Sequence, residues 1–365
     1  MVKLKKFLAI LFSAVIIMCS VIPASASGEA YGKFFLKDIV INGVQVVNYN
    51  LQYPFFIYDD LMYMPLTPDM GDLMGFGYEM DWERNVLKLW KKEASIVNIR
   101  DNRFKNDAND VYAWAEDSVL VTMLEPGEIA SASSGVFGAI AGSNAAGRQV
   151  DLGGKPVIMV GGILYLPLRT MADNAMGWDL HFDPNLGICI STHEETPAAS
   201  FFPSAQAGFN KGLADYINQR NKNVSVSRSQ ELVFLFKRAA MMNNLDTKLL
   251  LAVAQKESNF RTDARNRSGA TGLMQIMPKT AAAMGVTTDR LLDAKTSIDK
   301  GAEYIRTQLN RYDDNVGLAL SAYNQGSGNV SRGTFSRGYA ESVNNIMAGI
   351  DDYLVNGGYG TTDSE

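Results

Sequence analysis

The sequence predicts an α+β multidomain chain: a mixed α/β N-terminal domain built from two strand-rich repeats, followed by an all-α C-terminal domain. Two observations carry this. Tyr63-Met64-Pro65-Leu66 returns as Tyr165-Leu166-Pro167-Leu168, and the same offset of 102 (167 − 65) relates Met74-Gly75 to Met176-Gly177 and Asp81 to Asp183. Beyond Ser225 the apolar residues recur at helical spacing, with no strong β-hairpin run among them. At 365 residues and 47% hydrophobic content, the chain has material for two or three separate cores.

Taken in order, residues 1–26 read as a signal peptide. Lys3, Lys5 and Lys6 precede an apolar run from Phe7 to Ile22, and Ala24-Ser25-Ala26 supplies a small-residue cleavage site. The run meets Pro23 and falls short of the ~20 residues that a membrane-spanning helix needs. Export removes Cys19 and leaves Cys189 alone, so no intramolecular disulfide is expected. His181, His193 and Cys189 lie at irregular spacing, and neither a metal nor a cofactor is predicted. Loss of the three lysines turns the net charge of −5 into −8, with −9 before Ser225 and +1 after it. Neither part is the basic surface that nucleic-acid binding requires.

Residues 27–193 form the repeat domain. Each copy opens on a turn signal, Asn42-Gly43 or Gly153-Gly154, and continues through short apolar strands and a short helical piece. The copies close on Val86-Leu87-Lys88-Leu89-Trp90 and Ile188-Cys189-Ile190-Ser191. Residues 93–148 read as an insertion between them, and its Ser131–Gly147 run is rich in Ala, Gly and Ser. A Gly turn, then Pro167-Leu168-Arg169, then Gly177-Trp178 resembles the copper amine oxidase N-terminal-like, or stalk, domain; the first copy departs with Thr67 in place of Arg. The resemblance implies a spacer or docking module, with neither copper nor amine oxidation. Trp82, Trp90 and Trp178 are candidates for stacking on sugar rings, although core packing is the commoner use of such residues. Residues 194–224 read as a linker.

From 225 to 365 the helical stretches are Glu231–Met242, one opening near Leu249, Thr280–Met284, one carrying the stripe Ile298, Ala302, Ile305, Leu309 and Tyr312, Val316–Tyr323, and Tyr339–Leu354. Gly269–Ile276 is expected as a small extended piece. In the second of these helices Asp246 or Thr247 caps the start, and Leu250, Val253, Ala254 and Glu257 share one face at i, i+3, i+4 and i+7. A carboxyl held on an apolar face has its charged form destabilised, stays protonated nearer neutral pH, and can give a proton to a leaving oxygen.

Glu257-Ser258, Gly272-Leu273-Met274-Gln275 and Ala322-Tyr323-Asn324-Gln325-Gly326 follow in that order, and together they resemble the signature of the soluble lytic transglycosylase (SLT) family, with its lysozyme-like fold. The resemblance covers about the last third of the chain. It implies an enzyme acting on peptidoglycan glycan strands, with Glu257 as a single catalytic acid and then base, and with the leader the expected location is secreted, in the cell wall or periplasm. Ser258, Met274, Gln275, Tyr323 and Asn324 would surround the substrate. The family's ET-x-x-Y-V pattern is replaced by Glu341-Ser342-Val343-Asn344-Asn345-Ile346, so Asn345 stands where a Tyr is expected, and Tyr339 is the candidate to replace it. A hydrolytic muramidase would need a second carboxylate, for which Asp263 and Asp289 are the nearby candidates. A catalytically silent wall-binding protein is the remaining alternative.

Overall fold

The computed structural model describes residues 27–95, 110–126, 128 and 147–361. The leader and the Ser131–Ala146 part of the small-residue run lie outside the described residues.

The first repeat supplies β1 (Gly28–Phe34), β2 (Asp38–Ile41), β3 (Val44–Val46), β4 (Phe56–Tyr58), β5 (Leu61–Pro65), α1 (Pro68–Met74), β6 (Phe76–Asp81) and β7 (Val86–Lys91). The second supplies β8 (Asp110–Glu116), β9 (Leu120–Leu124), β10 (Arg148–Gln149), β11 (Val157–Val160) and β12 (Ile163–Pro167). It ends with α2 (Leu168–Met171), a π-helical turn (Ala172–Met176), β13 (Asp179–Asp183) and β14 (Gly187–Ser191). The residue that departs from the pattern in the first copy has a local use. Thr67 caps α1 by accepting from the Met70 amide, with Pro68 in the first turn.

The two copies are interlocked. Six strands close a barrel in the order β1-β4-β5-β12-β11-β8. Within it β5 pairs with β12 so that Met64 faces Leu166, its equivalent at the offset of 102. An approximate two-fold axis therefore runs through the YxPL motifs. Inside the barrel lie Ala30, Phe56, Tyr63, Ala113, Ile158 and Tyr165. The remaining strands are exchanged: β2 and β3 of the first copy extend the β13-β14 ribbon of the second, and β9 and β10 extend β6-β7 of the first. The joins are parallel, β14 on β2 and β7 on β9. The region expected as an insertion thus holds β8 and β9, which belong to the second repeat. Its counterpart strands start at Gly28 and Asp110, an offset of 82 (110 − 28), so a comparison at 102 does not align them.

Of the three tryptophans singled out, Trp178 is buried against Phe76, with ring centroids 5.9 Å apart. Trp90 covers Gly77, where a Cβ would meet its indole. Trp82 is exposed.

The helical part comprises α3 (Ser204–Arg220), α4 (Val226–Met242), α5 (Thr247–Ser258), α6 (Pro278–Ala283), α7 (Ala294–Arg311), α8 (Val316–Gln325), α9 (Ser327–Ser331) and α10 (Gly338–Asn356). Its core forms around α5, whose residues from Leu249 to Ala254 are all buried. The stripe on α7 is buried at Ile298, Ala302, Ile305 and Leu309. Much of the expected linker is α3, and its Phe209, Leu213, Tyr216 and Ile217 join the same core as α5. Gly269–Ile276 makes isolated bridges, Arg265 with Thr271 and Thr271 with Ile276, rather than a strand.

The two parts touch through a polar seam. Lys237 of α4 pairs with Asp38 of β2 at 3.1 Å. Gln230 donates to the Asn185 side chain at 2.9 Å, and Asn210 to its carbonyl at 2.8 Å. Beside these, Val40, Leu186, Cys189, Ala198 and Ala207 form a small joint core. Among the described residues no helix is long and apolar enough to cross a membrane.

Candidate active site

Helix α5 starts where the sequence says it does, with Asp246 accepting from the Lys248 amide. It stops at Asn259, which adopts the left-handed conformation at φ 50° and ends the hydrogen-bond ladder. Glu257 sits in that last turn, half-buried. Burial pushes its carboxyl above the ordinary carboxylate range, opposed by a hydrogen bond from Tyr339 and by the Lys256 ammonium. Its place at the negative end of the helix acts in the same direction as burial. Tyr339, on α10, donates from Oη to Glu257 Oε1 at 2.6 Å. One carboxyl oxygen is thereby occupied, and Oε2 is left to carry the proton.

Behind this pair the tyrosines form a row. Tyr323 of α8 stacks on Tyr339, with centroids 6.4 Å apart and planes at 19°. Tyr304 of α7 also packs on Tyr323, with centroids 5.3 Å apart and planes at 47°. The Tyr323 hydroxyl donates to the Met274 carbonyl at 2.6 Å, which ties α8 to the Gly272–Gln275 turn. Both Tyr323 and Tyr339 are pushed well above the usual phenol range by burial first and by the Glu257 charge second, so both stay protonated and remain donors.

The Gly272–Gln275 turn is built against α5 and α7. Gly272 has φ +82°, and a Cβ there would lie 2.0 Å from the Leu291 carbonyl oxygen, so only glycine fits. The Met274 amide donates to Ser297 Oγ at 3.1 Å. Its side chain is fully buried against Gly301, where an added Cβ would come within 2.6 Å. Ser258 is buried too, and its hydroxyl reaches the carbonyls of Ala254 (3.1 Å) and Leu273 (2.8 Å), joining the acid's own turn to this loop. Gln275, at φ 47°, donates to the carbonyls of Ala264 (3.0 Å) and Gly272 (2.9 Å).

The predicted residues therefore fall into two groups. Glu257, Tyr339 and Tyr323 are in a chain of direct contact. Ser258, Met274 and Gln275 shape the loop beside them, with the first two withdrawn from solvent. Asn324 is exposed on α8, one residue past Tyr323. Asn345 is exposed on α10, and the hydroxyl on Glu257 comes from Tyr339 instead. Asp263 is exposed and Asp289 is paired with Arg265; the charge that acts on Glu257 is that of Lys256, not of a second carboxylate. Sequence reasoning missed Tyr304, whose only signal was its place one residue before Ile305 on the α7 stripe.

Comparison with known proteins finds similarity over part of the chain. The chain is 41% identical over 100 residues to membrane-bound lytic murein transglycosylase F of Cellvibrio japonicus, covering 26% of this chain and 20% of that one. It is 38% identical over 105 residues to the transglycosylase of Enterobacteria phage PRD1, covering 29% and 38%. It thus spans well under half the length of these relatives. Among solved structures, the 70-kDa soluble lytic transglycosylase SLT70 of Escherichia coli matches at 24% identity over 46% of this chain and 34% of that chain, with a TM-score of 0.31. The matching family is the transglycosylase SLT domain, and residues 234–345, which contain Glu257 and all the residues around it, carry that domain.

Proposed function

We propose that the chain is an exported lytic transglycosylase that cleaves the β-1,4 bond between N-acetylmuramic acid and N-acetylglucosamine in peptidoglycan. The observation that carries this is the single carboxyl of Glu257, raised by burial and fixed through Oε1 by Tyr339. Protonated at Oε2, it gives its proton to the glycosidic oxygen as the bond to C1 breaks. The resulting carboxylate then takes the proton of the C6 hydroxyl on the same muramic acid. That oxygen attacks C1 and closes a 1,6-anhydro ring, and the acid is regenerated. The Tyr339 hydrogen bond serves the second half, since it stabilises the carboxylate that must wait for the C6 hydroxyl. Asn324, exposed beside the tyrosine row, is the amide placed to hold acetamido or hydroxyl groups.

In the same reading, residues 1–26 are a cleaved signal peptide, and the product works in the wall or periplasm. The repeat domain is a stalk of the copper amine oxidase N-terminal-like kind, which positions the enzyme without entering the chemistry. The catalytic unit begins at α3, so the joint between the parts lies near 194–203. Digestion of peptidoglycan in oxygen-18 water, followed by mass spectrometry, tests the chemistry. The expected ends are 1,6-anhydro-muramic acid, unlabelled and one water lighter than hydrolysis products. Labelled reducing ends would make the enzyme a muramidase.

A further inference from the structure

The barrel carries a second cluster of aromatic residues, far from Glu257 in sequence and on its outer surface. Strands β1 and β8 alternate strictly between interior and solvent. Their outward residues are Glu29, Tyr31 and Lys33 on β1, and Asp110, Tyr112, Trp114 and Glu116 on β8. The register places Tyr31 opposite Tyr112, Glu29 opposite Trp114 and Lys33 opposite Asp110. Tyr31 is 63% exposed, Tyr112 57% and Trp114 40%. Three large rings on one open sheet face are a feature that burial does not explain, and exposed aromatic clusters commonly mark binding surfaces.

Tyr31 and Tyr112 form an edge-to-face pair, with centroids 5.5 Å apart and planes at 68°, and Trp114 follows Tyr112 on the same face of the strand, about 7 Å along the backbone. Their edges are polar. The Tyr31 hydroxyl donates to Glu29 at 3.3 Å, and the same carboxylate is within reach of Tyr112. Charge selects among partners. Glu29, Asp110 and Glu116 outnumber Lys33, so the face repels anionic membranes and leaves the uncharged sugar backbone of a polymer as the part that can lie on the rings. A hydrophobic protein surface would strand those carboxylates without water. What suits rings bordered by hydroxyls and a carboxylate is a polymer with flat C–H faces and a rim of hydroxyl and acetamido groups.

We propose that the outer face of β1 and β8 is a glycan-binding surface, on which Tyr31, Tyr112 and Trp114 stack the sugar rings of a β-1,4-linked N-acetylated glycan strand. The stalk then does more than space the enzyme: it holds the polymer on which α5 acts. The identity of the polymer rests on the activity proposed above, but the binding does not require turnover.

The test uses the full chain carrying Glu257→Gln, so that the polymer survives, with purified peptidoglycan sacculi and chitin beads as probes in a sedimentation assay. Adding Tyr31→Ala, Tyr112→Ala and Trp114→Ala together is expected to weaken binding to both probes at least tenfold, whereas Phe182→Ala, an exposed ring elsewhere on the same domain, leaves it unchanged. Trp114→Ala alone gives an intermediate loss and serves if the triple variant does not fold. In the active chain the triple variant keeps its turnover of short soluble glycan fragments and loses rate on sacculi. Unchanged binding by the folded triple variant overturns the proposal. So does a loss that tracks conversion of a dimer to a monomer in analytical ultracentrifugation, which would make the face a contact between copies. Lysis by the Glu257→Gln chain would instead overturn the catalytic reading and leave this one standing.

Discussion

Tyr339 Oη lies 2.6 Å from Glu257 Oε1, a contact made across 82 positions of sequence between the last turn of α5 and the first of α10. Among the described residues it is the one side-chain hydrogen bond to Glu257, and it opposes the effect of burial on the same carboxyl.

Tyr339→Phe removes that donor and leaves the ring. The carboxylate loses its stabilisation, so the Glu257 carboxyl rises further, and the alkaline limb of the pH–rate profile moves to higher pH. The maximum rate falls by about tenfold or more, because Oε1 is no longer held and the conjugate base is less well prepared for its second role. A variant profile superimposable on the wild type would contradict the assignment of Tyr339 as the positioning residue.

Glu257→Gln keeps the volume and removes the proton, so turnover drops by about 10²–10⁴-fold with the helical circular dichroism unchanged. Stability moves the other way. The folded state holds this carboxyl above its unfolded value, so its contribution to stability is fully present at low pH and is lost as pH rises through the raised value. The glutamine variant therefore melts above the wild type at pH 7, and the gap closes toward pH 4. Thermal melts across that range check the sign.

Gly272→Ala forces a Cβ into the Leu291 carbonyl at a positive φ. The expected cost is more than about 2 kcal/mol, read from urea melts. Activity falls with it, since the displaced loop is the one that receives the Tyr323 and Ser258 hydroxyls.

A chain beginning at Ser225 omits α3 and uncovers the core it closes. Phe209, Leu213, Tyr216 and Ile217 each contribute about 1.5–3 kcal/mol of burial, a sum comparable with the whole stability of a domain. That fragment is expected to be unfolded or molten, whereas one beginning near Pro197 melts cooperatively. Differential scanning calorimetry of the two fragments decides.

The sequence was most informative where local signals agreed. Helix α5 announced its cap and its apolar face, with Glu257 on that face, because Asp246, Leu250, Val253 and Glu257 obey one periodicity within a few turns. The repeat was visible in its YxPL half and hidden in the other. A longer connection between β9 and β11 than between β2 and β4 shifts the register, so β8 and β9 looked like an insertion. Helix α3 reads as a linker in sequence because Gly208, Asn210, Gly212 and Asn218 interrupt its apolar face, and its burial comes from partners far along the chain. In the site, Ser258, Met274 and Gln275 stood out as motif residues, but motif membership does not distinguish a group that touches substrate from one that builds the wall. That distinction lies in carbonyls such as those of Leu273 and Ala264, which a motif does not show.

The exchanged strands set the order in which the molecule can form. Asp38 of β2 finds its partner in Gly187, 149 positions later (187 − 38), and β9 likewise closes on β7 of the other copy. Neither copy can complete its sheets while the other is unmade, so the strand-rich half has no stable halfway point and refolds as one slow, long-range event. The helical part, rich in neighbouring contacts, is free to form first. After dilution from denaturant, lytic turnover of small fragments should therefore return before the barrel does.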